Sequence, residues 1–210
     1  MFPLHDINRS HRRPWVVYAL VVLNILAFVF TYFLTDPAAV IGTYGFVPDR
    51  FLADPGGESV TLFSSMFLHG SIMHILGNLW FLFVFGDNIE DRMGHLGFLT
   101  FYLLGGVGAA LAQGLSSGFA DNTPMIGASG AISAVLGAYI LLFPRAIVLS
   151  LIGWFPIPVP AIIYLGYWAL IQFVGNFSGQ EGIAFWAHIG GFVAGMVLVK
   201  FFDKGTRHRA

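Results

Sequence analysis

Two residues in this chain have the types and surroundings for acyl-transfer chemistry: Ser129 within Gly127-Ala128-Ser129-Gly130, and His188 within Ala187-His188-Ile189-Gly190-Gly191. A serine hydroxyl is a weak nucleophile until a neighbouring base takes its proton, and a neutral imidazole does this near pH 7. The pattern places the serine near a helix start, where free backbone N–H groups can receive a developing oxyanion. His74 and Asn78, at i and i+4 on one helix face, are candidate side-chain donors to the same oxyanion. No Asp or Glu falls at a matching depth in the helices, so the expected constellation is a Ser129–His188 dyad rather than a triad. His69 and His74 stand on different helix faces with no Glu in the zinc-protease pattern, so neither a metal nor a cofactor is expected.

The elements that must hold these groups are set by composition. The chain has 210 residues, 57% hydrophobic and only 10% charged, where a soluble domain is about a quarter charged. A water-exposed shell cannot be built from that, so the lipid bilayer is the expected solvent. The 26 Gly and 22 Phe fit closely packed helices with lipid-facing surfaces. A formal net charge of -1 without a basic face excludes nucleic-acid binding, and the absence of Cys excludes disulfides, thiolate zinc sites and cysteine nucleophiles.

Apolar runs long enough to cross the bilayer fall at 15–34, 72–90, 95–114, 126–143, 157–177 and 183–202. The expected fold is therefore an all-α integral membrane protein, a six-transmembrane-helix bundle forming one domain over residues 1–210. Its fourth helix is short and central, and the polar run Asp121-Asn122-Thr123-Pro124 before it is read as a loop dipping into a water-filled cavity. The apolar stretch 146–155, bounded by Pro144 and Pro156, is too short to span and is placed at the interface. Six crossings put both termini on one side with nine of ten cations, Arg207 and Arg209 among them. Only Arg50 lies opposite. The positive-inside rule makes the basic side cytoplasmic and turns the loops 35–71, 115–125 and 178–182 outward. A multi-pass protein of a prokaryotic cell membrane is the expected setting.

Depth then brings the chemistry together. Ser129 and His188 both sit a short way below the outer ends of their spans, with His74 and Asn78 entering from the same side. Gly191 and Gly195 follow His188 at i+3 and i+7, and Gly127, Gly130, Ala131, Ala134 and Gly137 line the fourth span. Two such small-residue stripes allow close approach, so the fourth and sixth spans are expected to touch with Ser129 and His188 across the seam.

Three motifs in order, His69-Gly-Ser-Ile-Met-His74-Ile-Leu-Gly-Asn78, Gly127-Ala-Ser129-Gly130 and Ala187-His188-Ile-Gly-Gly191-Phe-Val-Ala-Gly195, make the chain resemble the rhomboid family of intramembrane serine proteases. That resemblance implies a rhomboid-like bundle that cleaves transmembrane segments of membrane protein substrates near the outer membrane face. It implies Ser129 as nucleophile, His188 as base, His74 and Asn78 as oxyanion donors, Gly127 as the shaper of the turn before the serine, and His69 as a nearby structural hydrogen-bonding residue. Glu90 and Arg92 resemble the charged pair that ties the inner end of the second helix to its surroundings. The chain departs from the family in two places. Val60-Thr61 stands where a Trp-Arg pair is common in the first outer loop, and Ser133 stands where a tyrosine often stacks on the histidine. An aromatic on the fifth or sixth helix is expected to orient His188 instead. The fifth helix, carrying Trp168 and Phe173, is the candidate gate for lateral substrate entry.

Overall fold

The computed structural model describes residues 1–178 and 182–205. Gln180, Glu181, Arg207 and Arg209, and with them part of the last loop, lie outside the described residues. Helix α1 (Trp15–Val29) runs on into a π-helical turn, Phe30–Leu34. Three short helices follow in the first loop: α2 (Pro37–Tyr44), α3 (Pro48–Ala53) and α4 (Thr61–Ser64). The bundle is completed by α5 (Ile72–Met93), α6 (His95–Ser116), α7 (Ser129–Leu142), α8 (Ala161–Gly175) and α9 (Phe185–Phe202). Four segments are long and apolar enough to cross a membrane: Trp15–Leu34, α5, α6 and α9. Helices α7 and α8 are apolar but shorter, at 14 and 15 residues.

The architecture is not all-α, as the composition led us to expect. A three-stranded antiparallel sheet, ordered β1-β2-β3, is built from β1 (Phe2–Asp6), β2 (Ile147–Ile152) and β3 (Phe155–Pro160). The stretch expected only to lie at the interface is thus the greater part of a hairpin. Its two-residue turn, Gly153-Trp154, has Gly153 at φ +61°, the first-position glycine that a II′ turn requires. Pro156, Pro158 and Pro160 alternate along β3, opposite Leu151, Leu149 and Ile147. Proline donates nothing to a ladder, so such a strand belongs at a sheet edge, which is where it lies. The same prolines hold residues 157–160 out of the fifth helix, which begins at Ala161 rather than at residue 157.

Helix α7 is the core of the bundle. Every residue from Gly130 to Tyr139 is buried, packed by α5, α6 and α9. Small residues make this possible. A Cβ at Gly195 would overlap the Ala134 carbonyl, one at Gly191 the Gly130 carbonyl, and one at Gly137 the Phe192 carbonyl. The α7–α9 backbones are in direct contact along this seam, as the two glycine stripes anticipate.

At the end of the bundle where α1 begins and α9 ends, polar groups satisfy one another. Both Glu90 carboxylate oxygens accept from the first N–H groups of α1, those of Val16 and Val17, at 2.9 Å. A buried carboxylate thus caps a helix start that has no side-chain cap of its own. Arg92 forms a bidentate pair with Asp203 just after α9. Glu90 and Arg92 therefore do not pair with each other; each ties α5 to a different neighbour. The first loop, lacking a Trp-Arg pair, is organised by Arg50, which donates to the carbonyls of Gly42 (2.6 Å) and Gly45 (3.1 Å) and pairs with Glu58 at 3.1 Å.

Candidate active site

Ser129 is the first residue of α7, and the N–H groups of that first turn have no carbonyl four residues back within the helix. The turn leading into it is fixed from behind. Gly127 donates its N–H to the Ser65 carbonyl at 2.9 Å and has φ +120°, a region L side chains avoid. A Cβ there would also lie 2.7 Å from His74 Nε2. Gly127 therefore lets the chain pass between the α5 mouth and the serine, and brings His74 Nε2 close to the start of α7.

His188, in the first turn of α9, faces Ser129 across the small-residue seam, and its Nε2 stands 2.8 Å from Ser129 Oγ. The other ring nitrogen, Nδ1, lies 2.7 Å from Oε1 of Gln172 on α8. A carbonyl-type oxygen only accepts, so Nδ1 carries the proton and Nε2 is left as the lone-pair nitrogen facing the hydroxyl. The Trp168 ring lies 6.2 Å from the imidazole, centroid to centroid, at 39°. Trp168 lies on the fifth of the apolar runs, one of the two helices, fifth or sixth, on which an orienting aromatic is expected. Ser133 meanwhile turns its hydroxyl back to the Ser129 carbonyl, 2.6 Å away.

His74 and Asn78 share one face of α5 and line the same cavity as Ser129 and His188. Helix α5 is capped by Ser71, whose Oγ accepts from the His74 N–H. Asn78 uses one amide hydrogen on the His74 carbonyl at 3.0 Å. His69 does not reach the cavity. It is 1% exposed, packs its ring edge-on at 5.0 Å from that of His74, and donates from Nδ1 to the Phe67 carbonyl at 3.3 Å. Burial pushes its basicity down to about 4, and the nearby His74 adds to the effect, so His69 is a neutral packing partner at neutral pH.

The cavity holds about 1160 Å³ and opens between α5, α7, α8 and the loop before α7. Asp121, Thr123 and Pro124 from that loop line it, in keeping with a polar segment dipping into water. Two lining residues escaped the sequence reading. Gln113 accepts from the Ala187 N–H at 3.2 Å and so steadies the start of α9. Gln172 is the single amide in α8, and a polar side chain within an apolar helix is the signal that would have marked it. Among the described residues no group of three or more His, Cys, Asp or Glu side chains is arranged to hold a metal ion.

Comparison with known proteins places this arrangement in context. Residues 56–204 match the family model described as the rhomboid domain. Similar proteins include RHOMBOID-like protein 12, mitochondrial, of Arabidopsis thaliana, which is 30% identical over 206 residues covering 90% of this chain and 59% of that protein. RHOMBOID-like protein 1 of the same plant is 28% identical over 88% of this chain and 52% of its own length. Rhomboid-like protease 5 of Toxoplasma gondii is 29% identical over 68% of this chain and 16% of its own. The chain spans between about half and three fifths of the length of the first two of these relatives.

Proposed function

Because the chain belongs to the rhomboid family of membrane proteins, we propose that it is an intramembrane serine endopeptidase in which Ser129 is the nucleophile and His188 the general base. The observation that carries this reading is the 2.8 Å approach of Ser129 Oγ to His188 Nε2 on the wall of a cavity enclosed by apolar helices. The substrate is a transmembrane segment of another membrane protein. A hydrogen-bonded helix hides its carbonyls, so segments rich in helix-weakening residues are favoured because they unwind at lower cost.

In the first step the Ser129 oxygen attacks the exposed carbonyl carbon while His188 Nε2 takes the hydroxyl proton. The oxyanion is met by the free N–H groups at the start of α7 and by donors from His74 and Asn78. Collapse of the tetrahedral species breaks the C–N bond, and His188 returns its proton to the leaving amine. Water then enters from the cavity and attacks the acyl carbon while giving a proton to His188; collapse of this second tetrahedral species breaks the bond to Ser129 Oγ, which takes the proton back from His188 and frees the carboxyl product.

The bilayer is crossed six times in this reading, α7 and α8 being the two short crossings within one membrane domain over residues 1–210. The basic residues gathered at the termini support both ends lying on the cytoplasmic side, in a prokaryotic cell membrane. Cleavage then falls near the outer face. Helix α8 is the gate, since no residue beyond Leu165 in it is buried.

The test uses purified protein in detergent with a fluorescent transmembrane substrate. Ser129→Ala should abolish cleavage and labelling by a fluorophosphonate while the helical circular dichroism is unchanged. Cleavage that persists in that variant removes the serine mechanism.

A further inference from the structure

Helix α8 is held unevenly. Its buried residues, Ala161, Tyr164 and Leu165, all lie in its first five positions, next to the hairpin from which it emerges. Further on, Leu170, Ile171, Phe173 and Val174 are between 44% and 57% exposed. Out of this weakly packed half, Gln172 extends its amide oxygen to within 2.7 Å of His188 Nδ1. One turn back on the same face, Trp168 approaches the imidazole and lies against Phe192 of α9, ring centroids 5.9 Å apart and planes tilted by 32°.

A neutral imidazole carries its proton on one nitrogen, and only the Nδ1–H form leaves Nε2 free to accept from Ser129. The opposite form presents a donor to the hydroxyl and cannot act as base. Among the described residues no acidic side chain forms a hydrogen bond or ion pair with His188, and the group facing Nδ1, which sets the tautomer, is the oxygen of Gln172.

Building on the dyad reading, we propose that Gln172 is the positioning residue of this site. It accepts the Nδ1 proton of His188 and holds the ring in the basic tautomer. Because it does so from the loosely packed half of α8, the base is fully formed only when α8 lies against α9. Displacement of α8 to admit substrate uncouples His188, and return of α8 rebuilds the site around the bound segment. Water and a reactive serine are thereby kept from acting together while the path to lipid is open.

The experiment compares Gln172→Leu, which keeps the volume and removes the acceptor, with Gln172→Glu, which keeps an acceptor. Both are assayed on a transmembrane substrate with folding checked by circular dichroism. Gln172→Leu should lower kcat by about 10- to 100-fold, as the loss of the partner on the far nitrogen does for a metal-bound histidine, with KM unchanged. Gln172→Glu should restore most of the loss. Histidine 15N spectra give a second readout that does not depend on the Glu variant folding: a single Nδ1–H form of His188 in the unaltered chain, and a mixture in Gln172→Leu. Wild-type kcat in Gln172→Leu, or an unchanged single tautomer there, overturns the proposal. Activity surviving in Ser129→Ala would instead overturn the dyad on which it rests, and the two failures are read in different variants.

Discussion

Helix α9 meets two of its neighbours at the site, α7 and α8, in opposite ways. Against α7 it is pressed backbone to backbone, with Gly191 and Gly195 leaving no room for a Cβ and every α7 residue from Gly130 to Tyr139 buried. Against α8 it has the amide of Gln172, the ring of Trp168 and the packing of Phe185 on Gly175. Packing density and flexibility trade against each other in membranes as in water, since a close interface of small residues has one arrangement and a sparse aromatic one has several. Ser129 and His188, the proposed nucleophile and base, are set on the rigid seam, and Gln172, proposed to orient the base, is set on the loose one. Precision and access are thereby assigned to different pairs of helices.

Breaking the rigid seam should have the largest effect. Gly195→Leu would drive a side chain into the Ala134 carbonyl; overpacking of this kind costs about 1–3 kcal/mol, and a shift of about 1 Å at the reacting atoms costs about 100-fold in rate. Cleavage should fall to background and the thermal midpoint should drop. A Gly195→Leu protein with full activity would show that the seam does not position the dyad. Comparable in rate but without the loss of thermal stability is Asn78→Ala, on the α5 wall facing the seam, which should slow turnover by about 100- to 1000-fold, the range for one oxyanion donor. An unaltered kcat would reassign Asn78 to its bond with the His74 carbonyl.

The loose seam is probed by fastening it. The chain has no cysteine, so Gly175→Cys with Phe185→Cys can be joined by a short bismaleimide where the Phe185 ring now packs on Gly175. The joined protein should still be labelled at Ser129 by a small fluorophosphonate yet fail to cleave a transmembrane substrate. Equal rates on both before and after joining would mean that α8 does not gate entry.

The smallest effect is expected far from both seams. Asp6 accepts from Tyr139 of α7 and Asn88 of α5, and burial pushes its carboxyl up to about 7 from an ordinary 3.8. Between those values the folded chain keeps a proton that the unfolded chain has released, so this group's contribution to stability is full below about 4 and is lost as pH rises towards 7. Asp6→Asn should flatten that part of the pH dependence of thermal stability and leave kcat untouched. A change in kcat would tie the strand to the site.

Much of this was legible in the chain because hydrophobic length and small-residue spacing are local properties. The long spans, the small-residue stripe on each side of the α7–α9 seam, and the position of Ser129, His188, His74 and Asn78 along their own spans are each read within a single helix. The sheet did not show itself, since Phe2–Asp6 finds its partner at Val148–Leu151, across the whole bundle, and neither strand is long enough to stand out. Arg50 likewise read as an outlier of charge, and only the folded loop reveals the carbonyls of Gly42 and Gly45 that it gathers.

The sequence by itself determined that this protein lives in a bilayer and which side chains stand at the level where a serine and a histidine can meet, because the bilayer forces polar groups to be few and their depth to count. It left undecided what faces the far nitrogen of His188. That partner is a glutamine 16 residues away on another helix, and its bearing depends on how α8 leaves the hairpin and leans on α9. Such an angle is fixed by packing between elements, and no period within a single helix records it.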